Sequence, residues 1–202
     1  MLKAEQSPKQ PASLQDYLKQ EEASTTKHEF WDGQIVAMAG GSPAHNKIVN
    51  SIGTAIDLAL DKRVKDCSVF SSDQQVYIPA YNRCAYPDCT VVCGEENLSG
   101  NTMLLNPLLI IEVLSESTKQ YDSTDKFEAY RSIPSFKEYV LVWQTIPKVQ
   151  SWYKEDEQLW RISSVFGLDK TLPLYSLDCE LALTEIYKRI KTLGKKDHPQ
   201  AF

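Results

Sequence analysis

The stretch NPLLIIEVLS, residues 106–115, decides how this chain folds. From Leu108 to Leu114 every residue is apolar except Glu112, which is the pattern of a strand buried on both faces. Alternation with period two puts Leu108, Ile110, Glu112 and Leu114 on one face. An ionised carboxylate has little place there unless a cation meets it or the strand ends nearby. Upstream, YPDCTVVCG (86–94) is a second apolar run, led by Pro87 and Asp88. Pro87 suits the first residue of a strand, where its missing N–H does no harm. Asp88 then stands at a strand start and Glu112 near a strand end. An antiparallel pairing makes these two acids neighbours.

The rest of the chain is read outward from this pair. After it, a helix is predicted from roughly Ser117 to Ile133, stopping before Pro134. EYVLVWQ (138–144) repeats the buried-strand pattern. KVQSWYK (148–154) and QLWRISSVF (158–166) read as a late antiparallel hairpin, and LTEIYKRI (183–190) as a short closing helix. Towards the N-terminus, Ser13 caps a helix LQDYLKQEEA (14–23), in which Leu14, Tyr17 and Leu18 share a face. In HEFWDGQIVAM (28–38), Asp32-Gly33 is a strong hairpin-turn signal between two extended runs. Gly40-Gly41-Ser42-Pro43 leads into AHNKIVNSIGTAIDLALDK (44–62), whose Ile48, Ile52, Ala55, Ile56 and Ala59 recur at helical spacing. CSVFSS (67–72) and QQVYIPA (74–80) add short strands. Helices alternating with such runs predict an α/β (α+β) domain: a mixed β-sheet flanked by helices, with an extra N-terminal hairpin and the late hairpin.

Bulk properties bound the function. A chain of 202 residues with 42% apolar and 24% charged content suits one globular domain. Its expected organisation is a loose polar leader over 1–12, a single domain over 13–190 and a polar, basic tail over 191–202. No apolar run is long enough for a membrane span, and the start lacks a signal-peptide core, so a cytoplasmic protein is expected. Five cysteines (Cys67, Cys84, Cys89, Cys93, Cys179) in such a chain are expected to be reduced. Cys84, Cys89 and Cys93 lack the C-x₂-C spacing of a zinc knuckle. The net charge of −5 does not announce a nucleic-acid binder. Any basic surface must be local, such as Lys188, Arg189 and Lys191 with Lys195 and Lys196, a cluster best read as solvated tail.

Two carboxylates about 4 Å apart repel by roughly 4 kcal/mol at an effective dielectric of about 20. Protonation, a basic side chain or a divalent cation relieves this. A hard cation such as Mg²⁺ uses one or two carboxylates plus waters, and it is the preferred solution for Asp88 and Glu112. Lys126 lies on the predicted helix, where Asp122, Lys126 and Tyr130 recur every four residues and face one way. An ordinary Asp122–Lys126 helical ion pair is one reading. An ammonium that orients a water and offsets charge building on a phosphate is the other.

The order Pro87-Asp88, then Glu112-Val113-Leu114, resembles the PD-(D/E)XK nuclease superfamily. More narrowly, residues 28–46, 69–79, 86–94 and 104–142 resemble the Uma-type restriction endonuclease family, and the match spans most of residues 14–188. The string EVLSEST–YD–K–Y–IPS–EYVLV carries the likeness. The resemblance implies a restriction-endonuclease-like fold and a Mg²⁺-dependent (Mn²⁺ as substitute) endonuclease acting on DNA. Asp88 and Glu112 match the metal-binding carboxylates, and the carbonyl of Val113 is a further ligand. Leu114 stands where the superfamily motif has its lysine, and Lys126 matches the family's displaced one. Glu29, His45, Asp73 and Tyr130 match as a second tier. A homodimer is expected, since two related sites cut two strands, with the late hairpin and Trp143, Trp152 and Trp160 as candidate interface. No organic cofactor is implied. The departure at Leu114 and the acidic balance suit the alternative, an inactive nuclease-fold protein that binds DNA or a partner. A hydrolase using Asp88 and Glu112 as an acid–base pair is the third reading.

Overall fold

Side-chain alternation along the central strand sets the layers of the molecule, because each face of that strand feeds a different core. A computed structural model of the chain describes residues 11–62, 66–115, 122–191 and 193, with Ser123 as backbone alone. The predicted leader lies outside these residues except for Pro11 and Ala12, and so does most of the basic tail, including Lys195 and Lys196. In chain order the elements are α1 (Leu14–Ala23), β1 (His28–Trp31), β2 (Gln34–Ala37), α2 (Pro43–Asp61), β3 (Cys67–Ser71), β4 (Gln75–Ile78), β5 (Arg83–Ala85) and β6 (Cys89–Cys93). They continue with β7 (Leu98–Ser99), β8 (Met103–Leu104), β9 (Leu109–Leu114), a π-helical turn (Asp122–Lys126) running into α3 (Phe127–Tyr130), and β10 (Glu138–Trp143). Last come β11 (Lys148–Lys154), β12 (Trp160–Phe166), β13 (Thr171–Leu174), β14 (Cys179–Ala182) and α4 (Leu183–Tyr187).

Local chemistry places the early elements as expected. Ser13 Oγ accepts from Asp16 N at 3.2 Å, and the Asp16 carboxylate accepts from Ser13 N at 3.0 Å, which closes a capping box at the start of α1. Asp32 and Gly33 both take positive φ, 51° and 78°, as the tight turn between β1 and β2 requires. Ser42 caps α2 through His45 N at 3.1 Å, and Pro43 occupies the first helical turn.

The strands form two six-stranded mixed sheets, not one. The first runs β12-β11-β10-β9-β6-β3, and the second β2-β1-β5-β4-β8-β7; β13 and β14 make a separate hairpin. In the first sheet β9 and β10 are parallel and the other neighbours antiparallel. Leu109, Ile111 and Val113 join Val140 and Val142 beneath α2, with α4 and the β13–β14 hairpin. Ile110 and Leu114 point the other way, against Val76, Ile78, Ala85, Leu104 and Trp31 of the second sheet. The reverse face of that sheet gives Phe30, Cys84 and Met103 to Tyr17 of α1. The order of layers is therefore α2, sheet, sheet, α1. The second sheet arises because 75–78 and 83–85 carry apolar groups on both faces and so need cover on both sides.

Two expectations are corrected. The helix expected over 117–133 is described only over Asp122–Tyr130, beginning as a π turn, and residues 116–121 lie outside the described ones. Cys67 and Cys93, expected as thiols, face each other across the β3–β6 ladder, with Cα atoms 3.9 Å apart, and are disulfide-bonded. Only the strand register brings them together, since 26 positions separate them in sequence. Cys84, Cys89 and Cys179 are thiols, as expected, and are buried. Trp152 and Trp160 meet the ring of Phe127 edge-on at 4.5 and 5.0 Å and are partly buried. No helix among the described residues is long and apolar enough to cross a membrane.

Candidate functional site

Glu112 sits on the face of β9 that looks into the space between the sheets. Glu29 does the same from the other side. It shares a face of β1 with Trp31, while Phe30 turns to α1. From the edge of this inter-sheet layer, the π turn delivers Asp122 and Lys126, and α3 delivers Tyr130. The four-residue spacing read from the sequence is what aligns these three, and all are buried. π turns of this kind recur at functional sites because they re-aim one face of a helix. The backbone of this one is pinned by Tyr139, whose hydroxyl donates to Asp122 O at 2.9 Å.

The ammonium of Lys126 is the hub. Its Nζ lies 3.2 Å from Glu112 Oε1, 3.2 Å from Glu29 Oε1 and 3.3 Å from Asp122 Oδ1. The contact with Glu112 is a hydrogen bond, and those with Glu29 and Asp122 are ion pairs. Burial alone pulls the lysine pKa down; Glu112, Glu29 and Asp122 outweigh it and hold the pKa well above the ordinary value. Glu112 shows the opposite balance. Burial pushes its pKa well above the carboxylate range, assisted by Asp122, Asp88 and Glu29, although Lys126 opposes the shift. Tyr130 donates to Glu112 Oε1 at 3.3 Å. Glu29 is fixed by Trp31 Nε1 at 3.0 Å and Tyr86 N at 3.4 Å.

Asp88 precedes β6, whose register pairs Cys89 with Ile111; one step further sets Asp88 opposite Glu112, the juxtaposition expected from sequence. Asp88 Oδ2 accepts from Val113 N at 2.7 Å and faces His45 Nε2 at 3.1 Å. The hydrogen bond to Asp88 raises the His45 pKa. Stability from that contact is present while the imidazolium persists and is lost as pH rises through the raised value. The Val113 amide shows where its carbonyl points. In an extended strand a residue's N–H and C=O project to the same edge, so this carbonyl also faces the side where β6 has ended and Asp88 begins.

The structure therefore brings together Asp88, Glu112, Lys126, Glu29, His45, Tyr130 and the Val113 backbone. Asp73 is elsewhere: its side chain is 82% exposed in the β3–β4 turn and pairs with Lys27. A cavity of about 710 Å³ between α2 and the β13–β14 hairpin is lined by none of the clustered acids, and a smaller one of about 290 Å³ is lined in part by Asp88. Sequence reasoning treated Asp122 only as an ion-pair partner and passed over Trp31. The signals were present, as Asp122 stands four before Lys126 and Trp31 two after Glu29.

Among the described residues, four carboxylates gather against one ammonium and one imidazole. With all four acids ionised and His45 protonated, two formal negative charges remain among these groups. Among the described residues no three His, Cys, Asp or Glu side chains converge on a point that would hold a metal, because three of the acids already converge on Lys126 Nζ. What is left for an ion is Asp88, Glu112 and the Val113 carbonyl: hard oxygen donors and a charge deficit of the right sign. That set fits Mg²⁺, which completes its shell with water or phosphate oxygens, and not a nitrogen- or sulfur-seeking metal.

Comparison with known proteins follows this geometry. The model of a family described as "Uma2: Putative restriction endonuclease" matches residues 14–184. An uncharacterized protein of Synechocystis sp. (strain PCC 6803) is 34% identical over 176 residues, covering 87% of this chain and 91% of the relative. A second from the same organism is 33% identical over 154 residues, covering 75% and 86%. In fold, the chain is similar to a crystal structure titled "a putative nuclease" from Anabaena variabilis, with TM-score 0.70, 16% identity, and 88% and 98% of the two chains covered.

Proposed function

The chain belongs to this Uma2 family, and on that premise we propose that it is a magnesium-dependent endodeoxyribonuclease that hydrolyses phosphodiester bonds at the Asp88–Glu112 strand ends. One observation carries the proposal: among the described residues, the carboxylates of Glu29, Asp88, Glu112 and Asp122 outnumber the cationic partners Lys126 and His45 that meet them. A structural ion-pair cluster has no reason to carry that excess, whereas a site for a divalent cation does.

Asp88, Glu112 and the carbonyl of Val113 would hold the ion. When bound, it supplies Lewis-acid polarisation of the phosphate and activation of the attacking water. Asp88 is pre-oriented by Val113 N and His45, so little ordering is left to do on binding. Lys126 is held by three carboxylates in this state. To orient water or offset phosphate charge it must release one partner. Glu112 is the partner that an ion would draw away. Glu29 and Asp122 then keep the ammonium protonated and in place. DNA approaches a site whose surroundings carry net negative charge, and a bound cation lowers that barrier too.

The test is nicking of supercoiled plasmid with Mg²⁺, with Mn²⁺ and with EDTA. Asp88→Asn and Glu112→Gln are each expected to lower the rate by about a thousandfold, roughly 4 kcal/mol of transition-state stabilisation. Cleavage that survives EDTA, or wild-type rates in both variants, overturns the assignment.

A further inference from the structure

We infer that strand β12 is a dimerisation edge, which pairs antiparallel with β12 of a second copy about a two-fold axis at Ser163. The inference stands apart from the chemistry at Glu112 and goes beyond the proposed nuclease reading. β12 is the outermost strand of the first sheet, and its seven residues pair with β11 on one side only. Proteins protect such edges with charges, prolines, bulges or a covering loop. WRISSVF has no proline or glycine, its ladder to β11 is unbroken from Trp160 to Phe166, and Arg161 is its only charge. Ile162 and Phe166 on this strand are 56% and 59% exposed. A seven-residue edge with exposed apolar side chains, left in this form, is one that pairs.

The sequence of the strand selects a second copy as the occupant. Two-fold antiparallel pairing must keep opposed side chains on the same face, so the axis passes through a residue. With Ser163 at the axis all seven positions pair. Trp160 then meets Phe166 of the partner strand, Ile162 meets Ser164, and Arg161 meets Val165. The two aromatic pairs close the ends of one face, where cross-strand aromatic contacts are worth most. The arginines stand four positions apart along the ladder, so no like charges oppose. Arg161 is already held by Glu155 at 3.1 Å and over the ring of Tyr175 at 4.2 Å. The sheet becomes twelve-stranded and continuous. Trp160 also packs on Phe127, next to Lys126, so the edge braces the helix that carries the ammonium.

The experiment uses the full chain. Light scattering behind size exclusion is expected to give twice the 22.9 kDa chain mass, and the double variant Ile162→Glu, Phe166→Glu is expected to give the chain mass itself. Ser163→Cys keeps the test open if the double variant fails to fold. Oxidised without denaturant, it should form a covalent dimer, while Arg161→Cys, remote from its own copy, should not. A monomeric wild type overturns the inference. So does a dimer that Ser163→Cys does not crosslink, which would mean a different interface, or an edge that accepts a foreign strand instead of its own copy.

Discussion

Replacing Lys126 by methionine keeps the stem and removes the charge, so it isolates what the ammonium does between the sheets. At the observed 3.2–3.3 Å, each of its three carboxylate contacts is worth about 5 kcal/mol at an effective dielectric of about 20. Carboxylate oxygens gathered around one nitrogen sit about 5 Å apart and repel by roughly 3 kcal/mol a pair on the same scale. The loss is smaller than these sums, because the abandoned acids take up protons at about 1.4 kcal/mol per pKa unit. A net destabilisation of about 3–5 kcal/mol follows, the usual result of removing one partner of a buried pair. The pH dependence is the sharper part. Without the ammonium, Glu112, already raised by burial with Lys126 in place, moves further above its unfolded value. A carboxyl with a raised folded pKa makes stability fall as pH rises from about 4.5 through that folded value. Lys126 itself has a raised pKa, so in the wild type its contribution is intact below about 10.5 and is lost only above. The deficit of Lys126→Met should therefore be small at pH 5 and full at pH 8. Urea unfolding of both proteins at one concentration, from pH 5 to pH 8, measures it. A deficit below about 1 kcal/mol, the value of an exposed pair, or one that does not change with pH, refutes this account of the cluster.

The remaining predictions concern the same acids and the thiols. In EDTA, Glu112→Gln should be more stable than wild type at pH 8 and equal at pH 5, by about 1.4 kcal/mol for each unit that burial holds the wild-type pKa above normal. Millimolar Mg²⁺ should reverse that order in a thermal melt, adding about 2.7 kcal/mol to the wild type at a hundredfold excess over Kd and nothing to the variant; equal shifts in the two proteins would remove Glu112 from the ion's ligands. Thiol titration of native protein should find none reactive: Cys84 and Cys89 are buried with pKa values pushed up to about 12 by that burial. Denaturation without reductant should expose three thiols, and with reductant five. Opening the Cys67–Cys93 loop of 26 positions should cost about 3–4 kcal/mol on the loop-entropy scale.

Sequence patterning settled the elements whose signals are local. A capping box, an Asp-Gly turn, helical spacing in α2 and the apolar run around Glu112 depend on residues within a few positions of each other, and the molecule follows them. The pairing of Asp88 with Glu112 was also legible, because an antiparallel ladder follows from two strands and a count. Lys126 was visible as a site residue only through resemblance, since its spacing to Asp122 reads equally as an ordinary helical pair. The helical pair with Asp122 is present, and Glu112 holds the same ammonium.

Tertiary structure decided everything that depends on which face meets which. Short runs such as 75–78 and 83–85 carry no label for the sheet they join, so the second sheet emerged only from packing. That sheet turns Glu29 from a hairpin residue into the third carboxylate on Lys126. The same strand register that joins Cys67 to Cys93 is non-local, and composition pointed the other way. Asp73 matched a motif but faces water, because it stands in the exposed turn between β3 and β4. Periodicity along a chain reports what one element wants to bury. The identity of its neighbour is fixed by contacts far apart in sequence, and the excess charge between these sheets is one such contact.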